Sequence, residues 1–343
     1  MNLIDLAERG LVPDALVRFG IRRLLRPTPR AADRLDEIAR ADLLRAFLAE
    51  LRAAPIAVHT ALANDQHYEV PAAFFERILG PRLKYSGGLW PDSGGDLAAS
   101  EEAMLALAAQ RAELADGQTI LDLGCGWGSF SLWAAEKFPH ARVTGVSNSR
   151  SQRDFILDRA RARGLDNVEV VTLDARNFAL DRRFDRIVSV EMFEHLRNIE
   201  AMLARLAAIM NPGGKLFIHI FVHRSIPYIF PTDGPADWMG REFFTGGMMP
   251  SFDLLPQMQA DFVLEDRWGV NGRHYARTLR AWLDALDRQR REITQIFRDH
   301  PRAGRAPDVE VQRWRMFLTA CEELFAYRGG REWFVGHYRL RAR

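Results

Sequence analysis

The stretch Ile120-Leu-Asp-Leu-Gly-Cys-Gly-Trp-Gly128 constrains this chain more than any other. It is a buried-strand pattern that runs directly into a glycine-rich turn, and the residues after it predict a helix over 129–138. Gly124, Gly126 and Gly128 are spaced G-x-G-x-G. A turn this tight calls for positive φ and close backbone approach, which glycine supplies without steric cost. The dinucleotide fingerprint G-x-G-x-x-G places its third glycine one residue later, and the Gly-Lys-Ser/Thr ending of a phosphate loop is absent. The pattern therefore favours a nucleotide-like ligand without phosphates, S-adenosylmethionine (SAM), over NAD or ATP. Asp122, at the strand end, can pair with a cationic group on that ligand.

From about residue 115, strand and helix signals alternate. Apolar, β-branched runs at 119–123, 142–146, 168–172, 187–190 and 215–221 are separated by helical patterns over 129–138, 149–163 and 199–210. This βαβ rhythm predicts an α/β, Rossmann-like, mostly parallel sheet with helices on both faces. Asn211-Pro-Gly-Gly214 is expected to stop a helix and feed the fifth strand. Late runs at 262–268 and 333–340 bring the sheet to seven strands, and the helical stretch between them, 273–330, reads as a late cap over a substrate pocket. Pro301–Pro307 reads as an exposed loop. Residues 1–63 read as an N-terminal helical extension to a domain over 64–343.

Composition excludes several classes. A net charge of +2 over 343 residues gives no reason to expect nucleic acid as a partner. Two cysteines, Cys125 and Cys321, provide neither a disulfide framework nor a zinc cluster. No apolar run reaches the roughly 18 residues of a membrane span, and the N-terminus lacks a basic leader, so a cytoplasmic location is expected. Arg18, Arg22, Arg23, Arg26 and Arg30 lie without an acidic neighbour among Leu16, Phe19, Leu24 and Leu25. A basic helix on an anionic membrane is one reading. A surface helix packed on the main domain with its arginines in water is favoured, because Gly20 and Pro27 break the segment.

In a doubly wound sheet the ligand lies at the carboxyl ends of the strands. The second strand ends in Ser147, Asn148 and, slightly later, Gln152, which can bind ribose hydroxyls; Ser147 or Ser149 can equally cap the next helix. The third ends in Asp174-Ala175, suited to adenine, though Asp174 is also a plausible cap. The fourth runs into Glu191-Met-Phe-Glu194-His195. Buried paired carboxylates cost free energy unless they are used, so this cluster reads as catalytic. Glu191 and Glu194 share a face if the turn is helical. His219, His223, His274 and Tyr275 are further candidates for the same edge. Phe193, Trp238, Phe243, Phe244 and Trp282 read as core more readily than as pocket wall. No chelate spacing supports a metal site.

These motifs together resemble the cyclopropane fatty acid synthase superfamily of class I SAM methyltransferases. The likeness runs from Asn64 to the C-terminus, through His67-Tyr-Glu69, Leu83-Lys-Tyr-Ser86, Val143-Thr-Gly-Val-Ser-Asn-Ser, Phe243-Phe-Thr-Gly-Gly247, Val270-Asn-Gly-Arg-His-Tyr275 and Glu332-Trp333. It is closer to the coclaurine N-methyltransferase branch. The resemblance implies that Tyr85 and Ser86 contact the amino-acid end of SAM, Ser147 and Gln152 the ribose, and Asp174 and Ala175 the adenine. It implies that Glu191, Glu194 and His195 bind and deprotonate an amine. The lipid cyclopropanases typically carry Gly where this chain has Glu191, and Cys where it has Gly87. That Cys belongs to a bicarbonate cage whose other positions match Glu194, His219 and Tyr275. N-methylation of a small amine is thus the expected activity, with bicarbonate-assisted methylene transfer to unsaturated phospholipids as the alternative. A SAM-binding protein without turnover is a third reading, disfavoured by the acid–histidine cluster.

Overall fold

The computed structural model describes residues 3–58, 70–92, 94–234, 236–301 and 304–343. The boundary expected at 63/64 and the His67-Tyr-Glu69 motif lie outside them. Strands β1 (Thr119–Leu123), β2 (Arg142–Ser147), β3 (Val168–Thr172), β4 (Phe184–Val190), β5 (Met210–His223), β8 (Phe262–Val270) and β9 (Trp333–Ala342) form one sheet in the order β3-β2-β1-β4-β5-β9-β8. The first five pair in parallel, and β9 runs antiparallel to both neighbours. A two-stranded sheet joins β6 (Tyr228–Ile229) to β7 (Met248–Met249), with the short α10 (Trp238–Glu242) between them in the chain. The strand order reverses direction at β1, where the glycine turn begins. Such a reversal opens a ligand crevice beyond the strand ends.

Successive residues of a strand face opposite sides, and here the two sides are both covered. Ile120 and Val188 pack beneath α6 (Leu97–Arg111) and α7 (Ser129–Lys137), while Leu121, Ile187 and Ile218 pack beneath α9 (Ile199–Ala208) and α4 (Glu37–Ala53). Apolar residues on both faces explain why these strands read as continuous hydrophobic runs. Between β2 and β3 lies α8 (Arg150–Ala162). The expected stop at Asn211–Gly214 is instead an irregularity within β5. Pairing with β4 jumps from Phe184–Met210 to Arg186–Lys215, and Gly213 takes φ 75°.

Between β8 and β9 the chain makes the expected helical excursion: α11 (Gly272–Arg288), α12 (Arg290–Asp299) and α13 (Pro307–Ala326). Trp282, Leu286, Phe297, Trp314 and Phe317 join Phe74 and Phe75 of α5 (Ala72–Ile78) in one core. At the N-terminus, α1 (Leu3–Glu8), α2 (Asp14–Leu25) and α3 (Pro27–Arg34) precede α4. The packing expected of the basic segment is present, and two of its arginines are ion-paired, Arg18 largely covered and Arg22 still exposed. Arg18 Nη1 and Nη2 bond Glu323 and Glu322 at 2.6 and 2.7 Å, and Arg22 Nε bonds Glu323 at 2.5 Å. The acids come from α13, some 300 residues away, so sequence spacing could not reveal them.

Candidate active site

The glycine turn has the backbone its sequence demands: Gly124, Gly126 and Gly128 take φ of 84°, 51° and 80°. Their surroundings differ. A Cβ on Gly124 would stand 2.7 Å from Met192 Cγ, and one on Gly128 2.7 Å from Ile156 Cγ1. A Cβ on Gly126 would meet nothing within 4 Å, since it faces open space. Two cavities meet here, sharing Gly124, Gly126 and Gln152.

The smaller cavity, of about 450 Å³, is lined by Ser147, Asn148, Ala175 and Met192 among others. Ser147 Oγ donates to Gln152 Oε1 at 2.7 Å, and Ser149 caps α8. Asp174 sits beside this cavity without lining it. Its carboxylate accepts from Arg176 N at 2.8 Å and pairs with the Arg176 guanidinium. The capping role weighed for Asp174 is therefore realised.

The larger cavity, of about 1310 Å³ and open to solvent, is lined by Tyr85, Ser86, Asp122, Glu191, Glu194, His195 and Tyr275 with the glycine turn. Asp122 is buried and accepts from Ser131 Oγ at 2.6 Å; burial pushes its pKa up to about 6. Phe221, Phe230, Phe244, Trp282, Phe317 and Phe325 supply aromatic wall. Of the aromatic residues weighed from sequence, Phe244 and Trp282 reach the cavity. Phe193, Phe243 and Trp238 are buried core.

Glu191 is the centre of the arrangement. It follows directly on β4 in the left-handed region, at φ 49°, a conformation costly for a non-glycine residue. Its backbone N–H donates to His219 O at 2.8 Å. Its Oε2 accepts from the Tyr275 hydroxyl at 2.6 Å, and the N–H of Gly87 also favours its ionised form. Burial raises its pKa to about 7, against the opposing pull of Lys84, Tyr275 and Gly87. Glu194 lies in a 3-10 turn, Phe193–His195, that starts after Glu191, so the two acids meet at the cavity without sharing a helix face. Burial, and then Glu191, push Glu194 well above the usual carboxylate range. Burial pulls His195 down to about 4, which keeps its imidazole neutral at pH 7, and its ring stacks near Phe244 with centroids 6.3 Å apart.

His219, expected in the pocket, stands behind its wall. Its Nε2 faces Glu191 Oε1 at 3.4 Å, while its other nitrogen meets His337. His223 is engaged with Glu332 at 3.1 Å, and His274 Nδ1 accepts from Trp90 N, so neither converges on the acids. Sequence reasoning missed Lys84, although it lies within the quoted Leu83–Ser86 motif. Lys84 is buried, bonds Ser86 Oγ, and donates to Gly87 O at 2.9 Å. Burial lowers its pKa to about 8. Glu101 was missed as well; it accepts from the backbone N–H of Gly80 and Arg82 at 3.0 and 2.9 Å and so holds this loop. No local pattern flags either residue: Lys84 stands in the mixed stretch Arg82-Leu-Lys-Tyr-Ser86, and Glu101 in a helix of ordinary composition.

A glycine turn at the switch point of a seven-stranded sheet, opening on a cavity with buried acids, defines a class I SAM-dependent methyltransferase. The two joined cavities, and the open space over Gly126, fit SAM as the cosubstrate. Residues 58–330 match the family described as mycolic acid cyclopropane synthetase, and the chain belongs to that family. It is 33% identical over 344 residues to (S)-coclaurine N-methyltransferase of Thalictrum flavum subsp. glaucum, an alignment covering 98% of this chain and 94% of the relative. Its fold matches that of coclaurine N-methyltransferase bound to N-methylheliamine and SAH, with a TM-score of 0.95, 30% identity and 98% of each chain covered. It is also similar to the cyclopropane synthase MmaA2 from Mycobacterium tuberculosis, at a TM-score of 0.69 and 25% identity, covering 83% of this chain and 99% of that one. Among the described residues, no helix is long and apolar enough to cross a membrane.

Proposed function

We propose that this enzyme methylates the nitrogen of a small amine, with Glu191 as principal base and Glu194 and His195 as its partners. The observation that carries this reading is the convergence of Glu191, Glu194 and His195 on the cavity that the glycine turn opens. An aliphatic amine has a pKa of about 10 and arrives as a cation without a lone pair. The site must therefore attract the cation, take one proton, and hold the nitrogen in line. SAM, when bound, supplies an electrophilic methyl group on a sulfonium. Tyr85, Ser86 and Asp122 would hold its amino-acid end, Ser147, Asn148 and Gln152 its ribose, and Ala175 the adenine, with Asp174 able to accept the adenine amino group only if its pair with Arg176 opens. The ionised form of Glu191 favours an ammonium over a neutral ligand, and the aromatic wall adds a cation–π contribution. Glu191, with a pKa near 7, is poised to accept a proton at neutral pH. His195, held neutral by burial, orients the amine.

The lipid alternative is less well supported. A Cβ on Gly87 would stand 3.0 Å from Tyr275 Cγ, so a cysteine there would crowd the ring. Tyr275 and His219, positions the resemblance gives to a bicarbonate cage, face the Glu191 carboxylate. We infer that the protein's own carboxylate takes the place of that anion. On α2 and α3, Leu16, Phe19, Leu24, Arg23, Arg26 and Arg30 remain exposed. Peripheral contact of this face with an anionic membrane is checked by co-sedimentation with phosphatidylserine vesicles.

The test of function incubates the enzyme with SAM and either tetrahydroisoquinoline and related secondary amines or unsaturated phospholipid vesicles. The expected product is an N-methyl amine, and Glu191→Gln is expected to slow its formation about a hundredfold or more. Ring-containing acyl chains with no methylated amine would overturn the proposal, as would full activity in Glu191→Gln, Glu194→Gln and His195→Ala.

A further inference from the structure

A row of polar rings crosses the sheet behind the site. Val190 of β4 is in register with His219 of β5, His219 with His337 of β9, and His337 with Trp268 of β8. His219 and His337 are both fully buried. His337 Nε2 lies 2.9 Å from His219 Nδ1, and the far nitrogen, His337 Nδ1, lies 2.7 Å from Nη1 of Arg111, the last residue of α6. Arg111 is half-buried, with its guanidinium over the Trp268 ring at 4.8 Å.

The direction of this chain follows from its outer end. A guanidinium only donates, so His337 Nδ1 must accept. A neutral imidazole carries one N–H, so the proton of His337 lies on Nε2 and is donated to His219 Nδ1. The proton of His219 is then on Nε2, which faces Glu191 Oε1 at 3.4 Å. That gap exceeds a formed hydrogen bond, but neither atom has another hydrogen-bond partner among the described residues, and a contraction of a few tenths of an ångström closes it. Burial, reinforced by nearby positive charge, holds both imidazoles well below their ordinary range, which keeps them neutral as this assignment requires.

We propose that Arg111 and His337 are positioning residues for Glu191: they fix His219 in the tautomer that presents an N–H, never a lone pair, to the carboxylate. The proposal rests on the reading of Glu191 as the base. It also implies that protons do not leave the site by this route, because reversing the chain would aim an N–H of His337 at a guanidinium. The other groups facing Glu191 are Lys84 from the Leu83–Ser86 loop, Tyr275 from α11, Cys321 from α13, and Glu194 and His195 from its own loop. Arg111 bonds His337 at the far end of the chain, so the two ends can be perturbed separately.

The test uses the full-length enzyme labelled with nitrogen-15 histidine, the Arg111→Met variant, and SAM with tetrahydroisoquinoline. In the wild type, ring-nitrogen shifts are expected to show His219 and His337 both protonated at Nε2. In Arg111→Met, His337 is expected to populate both tautomers. The acidic limb of kcat/KM is expected to move upward by about one pH unit, a loss of about tenfold on that limb, while KM for SAM stays unchanged. A wild-type Nδ1–H tautomer at either ring overturns the assignment. An unmoved acidic limb in a folded Arg111→Met overturns the positioning role. Full activity in Glu191→Gln instead sinks the reading of the base while leaving the tautomers as assigned, so the two failures are distinguishable.

Discussion

Replacing Tyr275 with Phe isolates one hydrogen bond on the proposed base. The Tyr275 hydroxyl donates to Glu191 Oε2 at 2.6 Å, and the ring stacks on Phe325 with centroids 4.2 Å apart. Phenylalanine keeps the ring and loses the donor. A hydrogen bond to a charged group contributes about 1.5–3 kcal/mol, and one pKa unit corresponds to about 1.4 kcal/mol. Loss of the donor should thus raise the pKa of Glu191 by roughly one to two units, from its present value of about 7. At pH 7 the ionised fraction falls from near one half to between about a tenth and a hundredth, a loss of roughly five- to fiftyfold. The sign is definite: less of the base is available at neutral pH, and activity returns as pH rises through the new value. The assay is kcat/KM for tetrahydroisoquinoline from about pH 6 to 10, with SAM saturating. A profile with an unshifted acidic limb, or a loss that does not recover at high pH, refutes the role given to Glu191.

Asp122→Asn should raise stability and weaken SAM binding together. Moving the Asp122 pKa from 3.8 to about 6 by burial costs the folded state about 3 kcal/mol at pH 7. A group raised in this way stabilises most below its unfolded pKa, and that contribution is lost as pH rises through about 6. The Asn variant should therefore melt higher at neutral pH, converge with wild type near pH 4, and bind SAM more weakly by calorimetry. Gly87→Cys should displace Tyr275, because its Cβ would sit 3.0 Å from the ring; N-methyl turnover should drop at least tenfold with the melting temperature nearly kept. Arg18→Ala removes bonds to Glu322 and Glu323. Amide exchange in α1 and α2 should accelerate while exchange in β1 and β4 stays unchanged.

The parts of the molecule that the sequence made legible are those encoded by neighbours along the chain. β1 and β3 occupy the predicted residues, and the glycine turn, Ser149 cap and Glu191–His195 cluster are local features whose spacing carries their meaning. The cap helices were readable because Trp, Phe and Leu recur between two late strands. What was not legible comes from pairing across distance. His219 faces His337 because β9 returns antiparallel beside β5, a register no local pattern encodes. Lys84 is a binding-loop residue only because the fold buries it against Glu191, and Glu101 is structural only because α6 passes under the loop.

The strained backbone of Glu191 and the bare backbone of Gly87 belong to one solution. A left-handed residue directly after β4 would ordinarily be glycine, and a side chain there costs about 1–2 kcal/mol. That cost is offset by the bonds that reach this residue: its N–H to His219 O and the Tyr275 hydroxyl to its carboxylate. Tyr275 comes this close only because position 87 has no Cβ; with one, the ring would be 3.0 Å from it and would have to move. Glutamate at one position and glycine at the other are therefore coupled through Tyr275. It follows that Gly87→Cys and Glu191→Gly should not combine additively. Once Glu191 is gone, displacing Tyr275 removes no bond to it, so the double variant should lose little N-methyl turnover beyond Glu191→Gly alone. Losses that multiply would mean that Gly87 acts on the site by some path other than this ring.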